Sequence, residues 1–442
     1  MWERGLKNLT KGKAEYFIYN LFFSITLLFI VPYFIIRNLC LKKPPFPYLS
    51  NLTKKQIESL KGKPVIWIHV SSVGEIIVVF DVTKKIHQLL PEHKIIITTI
   101  TSDGYNIARQ KMGDIALVTY FPLDLPILCK RFINRIHPSL FILVEAEFWP
   151  NAIRYSKKFG AKVALVNGRV GHSMKYYLRF SKFMKVVFDQ IDLFSMKTLE
   201  DANRIKTIGA PLERVIVTGD TKIDQEYPSF SQAQLDSFRE KYNIQKEQRV
   251  FTVASTLPGE EEIIIESYLN LCKDGPYYLI LAPRHPNRAK EIGLLLQQNN
   301  LPYYQRSSTD TNGKYSVLLL DTFGELGLVY AVADVVFVAG NLFKKYGGHN
   351  IMEAAVQGKP VIYGPYMKNS WDHKLLLEKV DAGFVVHDAV ELADTAKKLL
   401  ADEPLYRQRA FNAKKVVMDN RGTAQKTANL VVGLLKDRGL SG

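Results

Sequence analysis

The sequence is poor in the residues that build disulfide frameworks and metal centres. Of 442 residues, three are cysteines (Cys40, Cys129 and Cys272), far apart and with no Cys-x-x-Cys pair. That argues against a disulfide scaffold or a thiolate zinc site and suits a reducing compartment. The nine histidines form no His-x-x-x-His pair with a nearby acid, so no catalytic metal is expected. A Gly-x-x-x-x-Gly-Lys-Ser/Thr phosphate loop is missing, as is a Gly-x-Gly-x-x-Gly fingerprint. Val70-Ser71-Ser72-Val73-Gly74 lacks the first glycine of a serine-hydrolase elbow, which weakens that reading. There is no short-period repeat and no low-complexity segment. Acidic charge is in deficit: 43 Asp and Glu stand against 59 Lys and Arg, a net charge of +16. Such a surface attracts nucleic acid, anionic membranes or polyanionic substrates, and charge alone does not choose among them.

What is present is a folded α/β chain behind an apolar N-terminus. Hydrophobic residues make up 47% and charged residues 23%, the balance of a globular protein, and the length calls for two domains plus an appendage. Tyr16 to Ile36 carries no charge and is long enough to cross a bilayer. Arg4, Lys7, Lys11 and Lys13 precede it; Arg37, Lys42 and Lys43 follow it. No small-residue cleavage site follows, so the stretch reads as a retained membrane anchor. Basic residues on both flanks leave its orientation open. Asn20, Ser24 and Pro32 dilute the span, and a helix lying in the interface is the competing geometry. Lys42-Lys43-Pro44-Pro45 reads as a stiff linker.

Beyond the linker, strand-like runs alternate with helix-like runs. Val65 to Val70, Lys94 to Thr99, Leu117 to Tyr120, Leu140 to Val144, Val163 to Val166 and Val215 to Thr218 form one series. Val250 to Ala254, Tyr278 to Ala282, Val317 to Leu320, Val335 to Val338 and Val361 to Tyr363 form a second. Helical connections imply parallel sheets. The polar stretch Asp224 to Gln248, with Pro228, is the expected hinge. The expected organisation is therefore an anchor and linker over 1–45, one Rossmann-like domain over 46–224 and a second over 225–442, with a ligand cleft where they face each other.

Residues suited to chemistry cluster after the strands. Gly347-Gly348-His349-Asn350-Ile351-Met352-Glu353 follows a strand and opens a helix. Its glycines allow close backbone approach, Asn350 is placed to cap, and Glu353 is placed to accept hydrogen bonds from sugar hydroxyls. This suits a nucleotide or nucleotide sugar at the strand ends of an open sheet. Pro283-Arg284-His285 and Asp321-Thr322-Phe323-Gly324-Glu325 follow two other strands, with Arg284 placed to hold a phosphate. In the first series, Glu75 opens a helix after Ser71-Ser72-Val73-Gly74. A base there needs a pKa near the working pH, yet a helix N-terminus favours the carboxylate, so burial or a neighbouring acid must compensate. Glu145 and Glu147 share a face if their strand persists, beside Trp149. Lys222, in Thr218-Gly219-Asp220-Thr221-Lys222-Ile223-Asp224, is placed to face developing negative charge. Met174 to Phe188 reads as one basic, aromatic helix, with Lys175, Arg179, Lys182 and Lys185 on one arc, suited to an anionic membrane surface.

These motifs, in this order, give the chain a likeness over nearly its whole length. Ser72-Val73-Gly74-Glu75, Glu145 to Asn151, Thr218 to Asp224, Pro283 to His285, Asp321 to Leu326 and Gly348 to Ala355 resemble bacterial 3-deoxy-D-manno-octulosonic acid (Kdo) transferases, which build the inner core of lipopolysaccharide. The resemblance implies a GT-B fold of two Rossmann-like domains and an enzyme held on the cytoplasmic face of the inner membrane. It implies CMP-Kdo as donor, a phosphorylated lipid A precursor as acceptor, inversion at the anomeric centre, no cofactor, no metal and no nucleic-acid partner. By the same resemblance Glu75 is the general base, and Glu145 and Lys222 assist the transition state. Pro283, Arg284, Phe323, Gly324, Glu325, Asn350, Ile351, Met352 and Glu353 hold CMP. Ser72, Gly74, Lys175, Arg179 and Lys182 face the acceptor or the membrane.

The chain departs from the usual family pattern in places. Asp220 stands where asparagine is common, which adds a charge near Lys222. Phe148 replaces a leucine, and Ile351-Met352 replaces a Pro-Leu pair. The rival readings are a UDP-sugar lipid glycosyltransferase of the same architecture and a membrane-anchored nucleotide-sugar-binding protein without activity.

Overall fold

A computed structural model describes residues 12–40, 52–171, 174–308 and 313–436. The chain divides into two compact units, Met1–Gln225 with Arg421–Gly442, and Glu226–Asn420. Residues 421–436 thus return to the first unit, a return that the sequence reading does not contain.

The first unit is built on seven parallel strands: β1 (Val65–His69), β2 (Lys94–Thr99), β3 (Ala116–Tyr120), β4 (Pro138–Val144), β5 (Lys162–Gly168), β6 (Leu193–Met196) and β7 (Val215–Val217). Their order is β3-β2-β1-β4-β5-β6-β7. Side chains alternate across the sheet with period two. Trp67, Ile96, Phe141, Leu143, Val163 and Leu165 pack into one layer. Ile66, Ile68, Ile97, Ile142, Val144 and Val166 pack into the other. Both faces are covered, which is why these strands read as continuous apolar runs. The C-terminal helix Thr423–Lys436 contributes Ala424, Ala428 and Val431 to the second layer. Strand order reverses between β1 and β4, so their outgoing loops diverge and open a crevice at the switch point. Glu75 and the 145–149 loop lie there.

The second unit repeats the plan: β8 (Arg249–Thr256), β9 (Tyr277–Pro283), β10 (Tyr303–Gln305), β11 (Val317–Leu319), β12 (Val335–Val338), β13 (Val361–Tyr363) and β14 (Gly383–Val385). The order is β10-β11-β9-β8-β12-β13-β14, all parallel, with the switch point between β8 and β12. β6, β10 and β14 are absent from the sequence reading. Each is short, and β10 and β14 are edge strands of three residues.

Lys13–Cys40 is a helix of 28 residues, as expected, but the spanning anchor is corrected. Among the described residues no helix is long and apolar enough to cross a membrane. Asn20, Ser24, Thr26 and Pro32 interrupt the apolar sequence, and the first turns are spent on the domain. Tyr16 is buried and donates to the Pro150 carbonyl at 3.2 Å. Tyr19 donates to Asp124 Oδ2 at 2.9 Å, and Asn151 Nδ2 donates to Asn20 Oδ1 at 2.7 Å. Phe17, Ile18, Phe22, Leu28 and Phe29 of the same helix stay exposed. The linker at 42–45 lies outside the described residues.

The single helix expected over Met174 to Phe188 is two, Met174–Arg179 and Ser181–Phe188. Phe180 leaves the helical region (φ −110°, ψ 27°) and breaks the register of the basic arc. Lys175, Arg179, Lys182 and Lys185 are nevertheless all exposed, and so are the aromatic Tyr176 and Phe180.

Candidate active site

In the first unit, β1 runs into a helix at a Ser–Glu cap. Ser72 is the N-cap of Val73–Leu89, its Oγ accepting from the Glu75 N–H at 3.4 Å. The Glu75 carboxylate folds back and accepts from the Ser71 main-chain N–H at 2.7 Å and from Ser72 Oγ at 3.3 Å. This is a variant of a capping box, and in an exposed setting it would hold the carboxylate charged. Here only 8% of Glu75 is exposed. Burial pushes its pKa up to about 8; the Ser71 bond opposes this, and the charges of Glu147 and then Glu145 add to it. Burial is the compensation that the sequence argument required.

β4 ends at Val144, so Glu145 and Glu147 do not share a strand face. Glu145 sits in the left-handed region at φ 57°, a strained position for a residue with a Cβ. Its N–H still reaches the Val166 carbonyl at 3.0 Å, and Glu147 N–H closes a turn onto Val144 at 3.3 Å. The turn sends the two carboxylates to different partners. Glu145 Oε1 lies 3.8 Å from Lys222 Nζ. Glu147 Oε2 accepts from the Trp149 indole at 3.0 Å. Pro150 then starts a helix whose first free N–H groups, at Asn151 and Ala152, are capped by buried Asp124 at 2.9 and 2.8 Å. The loop is thus pinned at both ends.

Lys222 rides on a 3-10 turn, Thr221–Asp224. Asp220 Oδ1 accepts from its N–H at 3.0 Å. Asn167 Oδ1 accepts from the Thr221 N–H at 3.0 Å, and Thr221 Oγ1 donates to the Val78 carbonyl at 2.7 Å. Asn167, next to the last residue of β5, has φ 50°, so it and Glu145, which follows β4, both take the left-handed region. The extra charge of Asp220 does not take Lys222 as its partner. Asp220 Oδ2 pairs with Lys197 Nζ at 2.9 Å, with side chains 4% and 6% exposed. Behind the loop, His69 is fully buried; desolvation pulls its pKa down to about 3 and keeps the imidazole neutral. Sequence reasoning missed His69, Ser71, Asn167 and Lys197. Only His69 and Ser71 carried a signal, their nearness to Glu75.

In the second unit the sequence-selected residues divide into exposed and buried groups. Arg284 is exposed at the end of β9, its N–H bonded to the Thr256 carbonyl at 3.0 Å. Its charge reaches Glu353, where burial raises the carboxyl's pKa and Arg284 opposes the rise. His349 is half-buried, and its pKa falls to about 4 through desolvation and then Arg284. Gly347 and Gly348 take φ 98° and 86°, and a Cβ on Gly348 would meet Met367 Sδ at 2.6 Å. Asn350 Oδ1 accepts from the Met352 N–H at 3.1 Å. Ile351 and Met352 are completely buried and support the loop from beneath. Pro283 is likewise a buried strand residue. Glu325 is forked onto Arg306, with Nε at 3.0 Å and Nη2 at 2.8 Å, which fixes the loop bearing Gly324 (φ 89°) and leaves Phe323 82% exposed. Glu260 accepts from the N–H groups of Gly340, Asn341 and Leu342 at 2.8–3.0 Å and anchors the exit of β12. Among the described residues no group of three or more His, Cys, Asp or Glu side chains is placed to hold a metal ion.

Known proteins resemble this chain. A family model described as 3-deoxy-D-manno-octulosonic-acid transferase (kdotransferase) matches residues 49–225. A 3-deoxy-D-manno-octulosonic acid transferase of Haemophilus influenzae is 32% identical over 370 residues, covering 83% of this chain and 86% of its own. A bifunctional glycosyltransferase/methyltransferase of Fusobacterium nucleatum is 32% identical over 380 residues, 85% of this chain. The chain spans 57% of that longer protein. A crystal structure of a glycosyltransferase from Rickettsia africae is 15% identical, with a TM-score of 0.57 over 85% of this chain and 99% of its own, and shares the fold.

Proposed function

The chain belongs to the 3-deoxy-D-manno-octulosonic acid (Kdo) transferase family, and from that premise we propose that it moves Kdo from CMP-Kdo to a hydroxyl of a phosphorylated lipid A precursor. The observation that carries the mechanism is Glu75, a buried carboxyl at a switch point whose pKa stands at about 8. A base poised near the working pH takes a hydroxyl proton as the oxygen attacks, where an ordinary glutamate is too weak. The oxygen forms the new glycosidic bond to the anomeric carbon as the bond to the phosphate oxygen breaks, with inversion. The proton passes to Glu75, and the electron pair leaves with CMP.

Lys222, steadied by Glu145, supplies positive charge while negative charge develops. In the second unit, exposed Arg284 is suited to the CMP phosphate, the glycines at 347 and 348 to close backbone approach, and Glu353 to the ribose hydroxyls. No metal enters this reading. The experiment is thermal stabilisation: CMP is expected to raise the Tm by several degrees at concentrations well above its Kd, and UDP to do much less. Incubation with CMP-Kdo and the lipid acceptor then identifies the product by mass. Stabilisation by UDP alone defeats the proposal.

For localisation, we propose that the exposed apolar side of Lys13–Cys40, together with Lys175, Arg179 and Lys182, lies on the cytoplasmic surface of the inner membrane. An apolar patch beside exposed cations suits an anionic leaflet. The triple variant Lys175→Glu, Arg179→Glu, Lys182→Glu is expected to lose most of its co-sedimentation with phosphatidylglycerol vesicles, and wild type to lose it in high salt. Unchanged sedimentation of the variant rejects this surface.

A further inference from the structure

The loop Pro283-Arg284-His285-Pro286-Asn287-Arg288 carries two arginines, and the fold uses them differently. Arg284 is exposed, and its guanidinium has no partner among the described residues. Arg288 is engaged on both sides. Its Nη1 donates to Glu261 Oε1 at 2.6 Å and its Nη2 to Oε2 at 3.3 Å. Nε and Nη2 also donate to Glu291, at 3.1 and 2.8 Å. Glu291 is open to water, but the side chains of Glu261 and Arg288 are only 2% and 12% exposed.

A ring of bonds closes through β8. Ser255 takes φ 64°, and the register of β8 on β9 shifts between Ala254 and Thr256. An irregularity of this kind re-aims the residue beside it. The Thr256 carbonyl accepts from the Arg284 N–H at 3.0 Å, and the Thr256 hydroxyl donates to Glu261 Oε1 at 2.7 Å. Glu261 holds Arg288, whose N–H returns to the His285 carbonyl at 3.0 Å. The loop is thus fastened at both ends through one buried carboxylate. Glu261 stands in the first turn of the helix Glu260–Cys272, next to Glu260, which holds the exit of β12.

A buried ion pair adds little stability over apolar side chains of the same volume. What a forked carboxylate–guanidinium pair supplies is direction, because both groups are planar and bond in parallel. That direction fixes the loop. With Arg288 held by two carboxylates, Arg284 is the guanidinium left to meet a ligand.

We propose that Glu261, through Thr256 and Arg288, is a positioning residue for the donor: it holds the 284–288 loop in the conformation that presents Arg284 to the phosphate of CMP. The proposal rests on Arg284 meeting that phosphate. Glu261 itself is buried and acts only through the loop.

The test is a double-mutant cycle on the Kd of CMP, measured by calorimetry on the full chain for wild type, Arg284→Ala, Glu261→Gln and the double variant. Arg284→Ala removes a charge-assisted contact and is expected to weaken CMP by about 10–100-fold. Glutamine keeps one oxygen and cannot accept both arms of Arg288, so Glu261→Gln is expected to weaken CMP by roughly 3–10-fold. In the double variant this second loss is expected to vanish, because a residue that aims Arg284 has nothing left to aim. Losses that multiply instead show that Glu261 supports the domain without directing Arg284, and overturn the proposal. Unchanged affinity in Glu261→Gln also overturns it. Should that variant fail to fold, judged by its Tm, Thr256→Val takes its place in the same cycle. It deletes only the hydroxyl bond to Glu261 and is expected to weaken CMP about 2–3-fold alone and not at all beside Arg284→Ala. Multiplied losses, or none, overturn the proposal there too. Failure of the phosphate reading has a different signature: Arg284→Ala alone binds CMP as tightly as wild type.

Discussion

Glu75→Gln is expected to lower the transfer rate about 10³-fold while CMP still binds, because glutamine keeps the shape of the cap and loses the basic oxygen. Stability is expected to move the opposite way. Glu75 has a folded-state pKa raised to about 8, against about 4.3 in an unfolded chain. Between these values the folded protein holds a proton that the unfolded chain releases, so stability falls as pH rises through that window. The glutamine variant escapes this loss. Its Tm is expected to match wild type near pH 4 and to exceed it by a growing margin up to pH 8, where its unfolding free energy is higher by on the order of 2–5 kcal/mol. Rates within tenfold of wild type sink the assignment of the base. A Tm difference that does not grow with pH contradicts the raised pKa, whatever the rates show.

The opposing signs explain why so much of the site escapes a reading of the sequence. Glu75 was legible as a helix-starting acid after a strand, because Ser72 and Glu75 stand at cap spacing. Its burial was not legible, because the packing around a helix-starting side chain is set by residues far along the chain. The strands were legible where both faces are covered: Ile66 and Trp67 point to opposite layers and both read as apolar. Short edge strands such as Tyr303–Gln305 lack that double signal. The break at Phe180 was hidden, since no glycine or proline marks it. The pairing of Lys197 with Asp220 joins the ends of β6 and β7, and neither residue announces the other. The bond from Tyr19 to Asp124 likewise turns an apparently free apolar helix into one docked beside the helix that follows the catalytic loop.

That Lys197–Asp220 pair and the Lys222–Glu145 pair make opposite demands on mutation, and the contrast defines the second large effect. Lys197 and Asp220 are buried at 2.9 Å, so removing either breaks a buried ion pair and costs stability. Lys222 and Glu145 are 33% and 24% exposed and 3.8 Å apart, too loose for a strong hydrogen bond and too wet for much stabilisation. Yet the surroundings go to some length to place them. Glu145 is held at φ 57°, Asn167 at φ 50°, and Asp220 and Asn167 together fix the turn that carries Lys222. Strained backbone that delivers a weak ion pair makes sense if the ammonium is kept available for a third partner. Lys222→Met is therefore expected to leave the Tm within about a degree, because an exposed pair contributes ~0–1 kcal/mol. It is expected to lower kcat by about 10²–10³-fold, because a cation facing developing charge acts in the transition state. KM for CMP-Kdo should change little, since the loss falls on the reacting state and not on ground-state binding. Lys222→Arg, which keeps the charge in a different shape, is expected to recover part of the rate. A large drop in Tm with kcat preserved would make Lys222 a structural residue and leave the strain at Glu145 without a purpose.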